Sequence, residues 1–235
     1  MGPIRRTMLM LAVAGLTGFP AFADSFTSSA SFSTAIAGMS GITTANFDSD
    51  PTGNIAQGAT VDGIIFNYNI NGGAGSLAIA NAFDTTSPKN YLGSNDATTG
   101  ALFGGDSITM GFASPVNALG LFIIGGPYAA GDFTLAGGAA TAVSTTVLES
   151  TLGDGGQVIF LGITSTTSFS SAMLSLDKSA GETWTVDDIT TAVGTPGGGT
   201  PTVPEPSTLA LMAVGLAVCA RRVRKMRAAQ AGLSS

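Results

Sequence analysis

Apolar residues in this chain recur at every second position, in short runs broken by glycine. Ile64, Phe66, Tyr68 and Ile70 run through Ile65, Asn67 and Asn69, and Asn71-Gly72-Gly73 follows as a hairpin signal. Ile108, Met110 and Phe112 repeat the pattern before Pro115, and Phe133 and Leu135 do so before Gly137-Gly138. A period of two is the geometry of a strand with one covered face. Leu119 to Ile124 is apolar at both parities, as in a central strand covered on both sides. Val143, Val147 and Leu148 lie in a Thr-rich run that favours strand. Gly153-Asp154-Gly155-Gly156 turns into Val158 to Leu161, and Phe169 to Leu176 and Trp184 to Ile189 mark the last two strands. No stretch between Asp24 and Thr191 shows helical periodicity, and there is no clean internal repeat. Many short strands with Gly turns predict an all-β fold, a jelly-roll-like β-sandwich over residues 24–193.

Charge divides the chain in the same place. Nine basic residues occur in all, and between Asp24 and Pro204 only Lys89 and Lys178 remain. Twelve Asp with Glu149 and Glu182 oppose those two lysines, a net charge of −12 for this body. It holds no Arg and no His, so its surface repels nucleic acid and anionic lipid. The one cysteine, Cys219, lies outside it, which removes disulfides, thiolate catalysis and thiolate metal sites.

Both ends read as addresses. Arg5 and Arg6 precede an apolar stretch from Met8 to Leu16, and Ala21-Phe22-Ala23 fits the small-x-small rule. A secretory signal peptide over 1–23, cut between Ala23 and Asp24, is expected, with the Sec translocon and signal peptidase as partners. At the other end, residues 194–202 form a Gly/Pro/Thr linker. Val203-Pro204-Glu205-Pro206-Ser207 then breaks the chain, because proline removes donors and disfavours helix before it. An uncharged helix over about 207–220 follows, roughly 21 Å long at ~1.5 Å per residue, short against a hydrocarbon core of about 30 Å. It spans as a single transmembrane helix only with local thinning and snorkelling. Arg221, Arg222, Arg224, Lys225 and Arg227 act as a stop-transfer cluster on the cytoplasmic side, leaving 228–235 as a cytoplasmic tail.

This order of motif, short helix and Arg-rich terminus resembles the PEP-CTERM sorting signal, with Pro204, Glu205 and Pro206 matching residue by residue over 203–227. The resemblance implies export in a bacterium that makes extracellular polysaccharide. It also implies an inner-membrane-anchored precursor, processing by an exosortase-type membrane protease, and a mature form on the cell surface or in the extracellular matrix.

Within the body, two acidic segments carry possible chemistry: Asp48 and Asp50 near its start, Asp187 and Asp188 near its end. The body is similar to lectin-like, carbohydrate-binding jelly rolls, in which acidic residues of first and last strands meet at a structural calcium. That likeness implies Ca²⁺ at these four aspartates, since calcium takes six to eight oxygens. The other reading makes Asp48 and Asp50 part of an Asx turn before Pro51, and Asp187 and Asp188 a strand end. No cofactor is required on either reading.

Sugar rings stack on exposed aromatics. Trp184 and Tyr68 stand in alternating runs and read as core, whereas Tyr91 and Tyr128 stand beside Gly and Pro and are the candidates for ligand stacking. Without His, Cys or Arg, acid–base work falls to carboxylates, Lys or Tyr, and no carboxylate pair stands out. The chain therefore reads as a non-enzymatic surface or matrix protein associated with exopolysaccharide or biofilm. A carbohydrate-binding module with a defined sugar is the alternative, and a carboxylate-based glycoside hydrolase a distant third. Nucleic acid is excluded as a partner on charge.

Overall fold

The computed structural model describes residues 23–70, 75–96, 99–177 and 183–196. They hold fourteen strands and one helix. The chain opens with β1 (Ala23–Phe26), helix α1 (Ser29–Ile36) and β2 (Ser40–Ala45). Short strands follow: β3 (Gly53–Asn54), β4 (Ala59–Val61), β5 (Ile64–Asn69), β6 (Leu77–Ala80), β7 (Tyr91–Ser94) and β8 (Leu102–Phe103). The long β9 (Ser107–Gly125) precedes β10 (Phe133–Gly137), β11 (Ala140–Val143) and β12 (Ser150–Thr151). The long β13 (Gln157–Leu176) and β14 (Thr183–Val193) complete the sheet. Every ladder among the described residues is antiparallel, and they join in one sheet ordered β11-β10-β13-β9-β14-β7-β6-β3, with the remaining strands on side branches.

The sequence suggests two strands on either side of Pro115; the structure has one. β9 runs through Ala113-Ser114-Pro115, three exposed residues at which its ladder with β13 shifts register. Proline has no N–H to give a ladder, so the strand bends there and does not end. β13 is likewise continuous across residues 165–170, joining what the sequence shows as Val158–Leu161 and Phe169–Leu176. Each long strand therefore serves two limbs. The first half of β9 pairs with β5 and the end of β13, and its second half pairs with the start of β13 and with β14. One core cluster takes side chains from both limbs, including Phe66, Phe112, Leu121, Phe133 and Trp184.

A helix was not expected. α1 packs Phe32 and Ile36 with Met39, Ala118, Phe160 and Ala192 into a second, smaller cluster on the other face of the later limb. Gly120 of β9 faces Gly162 of β13 across the ladder. A Cβ at either position would meet the rings of Phe32 and Phe160 at 2.6–2.9 Å. The two glycines are there for space, leaving bare backbone on which the Phe32 ring lies. The helix start is capped from far away: the Ser29 N–H and Oγ donate to Glu149 Oε1 and Oε2 at 2.7 and 2.8 Å. A carboxylate at that end answers orphan donors and the helix dipole together.

Two further expectations fail. β5 and β6 flank Asn71-Gly72-Gly73 but do not pair with each other; β5 pairs with β4 and β9, and β6 with β3 and β7. Val147 and Leu148 belong to no strand and are exposed, Val147 at 62%. The expected signal peptide up to Phe22, the linker beyond Pro196 and the tail helix over 207–220 lie outside the described residues. Among the described residues no helix is long and apolar enough to cross a membrane.

Candidate functional site

The last strand carries the acidic pair, and β2 lies beside it, with Ala45 opposite Ile189. β14 is bulged between Asp187 and Thr190, and Asp188 takes a left-handed φ of 49°. Aspartate tolerates that conformation better than most residues. The bulge suspends the alternation, so two consecutive carboxylates reach the same loop. Asp187 is fully buried. Its Oδ2 accepts from the hydroxyls of Thr85 (2.5 Å), Thr86 (2.9 Å) and Ser87 (2.8 Å) and from the Ser87 N–H (2.9 Å). Its Oδ1 accepts from the Asp188 N–H at 2.8 Å. These donors offset the cost of burying an anion. Thr86's hydroxyl stands between the Asp187 and Asp188 carboxylates.

Asp48 reaches the same loop from the other end of the domain. Its Oδ1 accepts the N–H groups of Lys89 and Asn90, both at 3.0 Å. Buried Asn90 returns the contact, its Nδ2 donating to the carbonyls of Phe47 (2.9 Å) and Asp50 (3.0 Å). The turn before Pro51 is opened by Asn46, whose Oδ1 accepts the Asp48 N–H at 3.3 Å. Burial, then the Asp187 charge, push the Asp188 carboxyl above the usual carboxylate range. Thr86 opposes this, and Asp48 adds to it. Asp50 turns elsewhere: burial first, and then Asp62, raise its carboxyl, and its Oδ2 is shielded from solvent with no hydrogen-bond donor among the described residues.

Of the four aspartates, Asp48, Asp187 and Asp188 therefore meet at the 85–90 loop, and Asp50 faces Asp62. Asp187 does not fit a metal, because its lone pairs are engaged by five hydrogen bonds. Among the described residues no cluster of three or more metal-ligating side chains occurs.

Of the two aromatic candidates, Tyr91 is placed differently from the sequence expectation. Tyr91 is fully buried, its hydroxyl accepting the Ala82 N–H at 3.3 Å, so neither ring face is open to a ligand. Its place in β7, a strand buried at every residue, is the reason. Tyr128 is half-buried, packed edge-on against Phe133 with centroids 5.0 Å apart. Trp184 is fully buried against Phe133, its indole N–H donating to the Phe103 carbonyl at 3.1 Å. Among the described residues the exposed ring is Phe83, stacked on Tyr91 at 6.2 Å and 45% exposed. It sits in a polar loop outside any alternating run, the signal that could have marked it. Phe83 opens on a cleft of about 270 Å³, lined also by Asp84, Asp154, Gly155, Gly156 and Thr185.

A family model of the PEP-CTERM protein-sorting motif matches residues 202–225. The chain thus carries a PEP-CTERM sorting motif, which includes Val203 to Ser207 and the basic residues up to Lys225. Such a motif implies an exported protein, held at the membrane before exosortase processes it. No curated protein matches the chain. Among solved structures, it is similar to the catalytic domain of a GH87 alpha-1,3-glucanase solved in complex with tetrasaccharides. The identity is 10% over 63% of this chain and 31% of that one, with a TM-score of 0.32. A likeness of that size carries no argument about fold or activity.

Proposed function

We propose that this is a non-catalytic surface or matrix protein whose jelly-roll-like β body associates with extracellular polysaccharide after its C-terminal signal is removed. The sorting motif over 202–225 carries the reading. An acidic body without Arg or His supports it, since such a surface stays solvated outside the cell and offers little to nucleic acid. The partners are the Sec translocon, signal peptidase, exosortase and polysaccharide, with the membrane held only by the precursor. Calcium enters in a narrower form than the sequence suggests. Asp48 and Asp188 would supply two of its oxygens at the 85–90 loop, and carbonyls and water the rest.

Expression in a host with the matching exosortase tests the sorting. Intact mass of the surface fraction is expected to show loss of the segment after the Pro204-Glu205-Pro206 motif. Full-length protein through Ser235 on the surface would refute it. Co-sedimentation of the mature protein with the host's polysaccharide tests the association. A second reading, a module for one defined sugar, is favoured by the cleft beside Phe83.

A further inference from the structure

We propose that the cleft beside Phe83 binds one uncharged pyranose residue of a glycan. The proposal rests on the polysaccharide association above and names where and what the body would recognise. The cleft is about 270 Å³. Drug-sized ligands occupy pockets of roughly 300–1,000 Å³, so this one suits a single ring of a longer chain. Its rim is aromatic: Phe83 rests on Tyr91 and leaves nearly half its surface in water. A flat apolar ring so held matches the C–H face of a pyranose at little entropic cost, because the stacking on Tyr91 already orders it.

The polar lining faces sugar hydroxyls with acceptors. Asp84 and Asp154 clasp each other's backbone, the Asp84 N–H donating to Asp154 Oδ2 and the Asp154 N–H to Asp84 Oδ2, both at 3.1 Å. Gly156 N–H donates to Asp154 Oδ1 at 2.9 Å. Each carboxylate is thereby fixed in place, and both side chains remain exposed. Carboxylates accept bonds from vicinal hydroxyls and are stronger acceptors than neutral groups. Thr185, 4% exposed, also lines the cleft, and its hydroxyl has no hydrogen-bond partner among the described residues. Among the described residues no basic side chain lines the cleft. Uronic acids and phosphorylated sugars therefore meet two negative charges with no answering positive one among the described lining residues, which favours a neutral ring.

Trp184 is the chain's one tryptophan and borders the cleft, so its emission reports occupancy. The full chain, in a detergent without a sugar headgroup, is titrated with neutral gluco-, manno- and galacto-configured oligosaccharides and with oligouronates. A saturable change in emission with at least one neutral series, and none with the uronates, is expected. Asp154→Asn should weaken that binding about tenfold, the scale of one bond to a charged acceptor. Phe83→Ala should weaken it by a similar factor with the melting temperature nearly unchanged. Binding that ignores both substitutions, a preference for uronates, or no saturable change with any neutral series would overturn the proposal. Co-sedimentation with host polysaccharide separates the two levels. If wild type and Phe83→Ala sediment alike, the association stands and the cleft is not its site. If neither sediments, the broader reading fails.

Discussion

The two halves of β9 obey different rules. Along Ser107–Phe112 buried and half-buried residues alternate, because one face meets the core and the other stays near solvent. From Val116 to Leu121 every residue is buried, because the core covers one face and α1 the other. The early half is specified by period alone. The later half needs a partner for its second face, and three devices supply it: the Gly120–Gly162 seat, the Glu149 cap and the bulge in β14 opposite Phe122 and Gly120. A single apolar stripe suffices for the first, whereas the second depends on residues brought together from 120 positions apart.

The largest effect should come from the early half. Phe66, fully buried opposite Met110, belongs to the core shared by both limbs. Phe66→Ala should lower stability by roughly 3–5 kcal/mol, read by denaturant unfolding. A change under about 1 kcal/mol would mean that this half does not depend on its covered face.

The later half should respond less and more locally. Gly162→Val places methyl groups where the Phe32 and Phe160 rings lie. Overpacking of this kind costs about 1–3 kcal/mol. Hydrogen exchange should speed up chiefly in residues 29–39, with protection in β5 and in the first half of β9 retained. Uniform loss of protection would show that the two halves form one cooperative unit and dissolve the contrast. Glu149→Gln keeps an acceptor and removes the charge, so it should cost about 0.3–1 kcal/mol, the size of a helix-dipole contribution. That loss should shrink in Phe32→Ala, where the helix is already undocked.

The same contrast explains what could be read from residues alone. Alternation at Ile64–Ile70 and Ile108–Phe112 marked strands because one face decides their burial. The run Leu119 to Ile124 announced that both faces are covered, but not by what. α1 has two buried residues among Ser, Ala and Thr and no side-chain cap of its own, so its stability is tertiary and its sequence is quiet. Pro115 suggested a break where the chain only bends, since an exposed bulge tolerates the missing donor. The sorting motif was legible in full, because it is read as a linear signal. Asp48 and Asp188 reach the same loop because β2 and β14 are neighbours. Asp50 was not separable from Asp48 without the fold, and Tyr91 read as exposed because the burial of β7 does not show in its sequence.

The smallest effect concerns the bulge, and its sign is the test. Burial and the Asp187 charge raise the Asp188 carboxyl above its unfolded value. The folded state therefore holds a proton more readily than the unfolded one between the ordinary carboxylate range and the raised value. Stability falls as pH rises through that window and is not regained above it. Asp188→Asn removes the repulsion. In chelator, the variant should melt higher than wild type at neutral pH, and the two should converge as pH drops below the ordinary carboxylate range. The left-handed φ favours Asn as much as Asp, so the backbone contributes little to the difference. Calcium reverses the sign if Asp48 and Asp188 share an ion. A ligand bound only by the folded state stabilises by RT ln(1 + [L]/Kd), about 2.7 kcal/mol at a hundredfold excess over Kd. Wild type should then gain on millimolar calcium over matched sodium, and Asp188→Asn should not. Equal curves in the two salts leave the five donors around Asp187 as the whole stabilising device. In that case the later half of β9 is closed by hydrogen bonds and a helix, with no metal contribution.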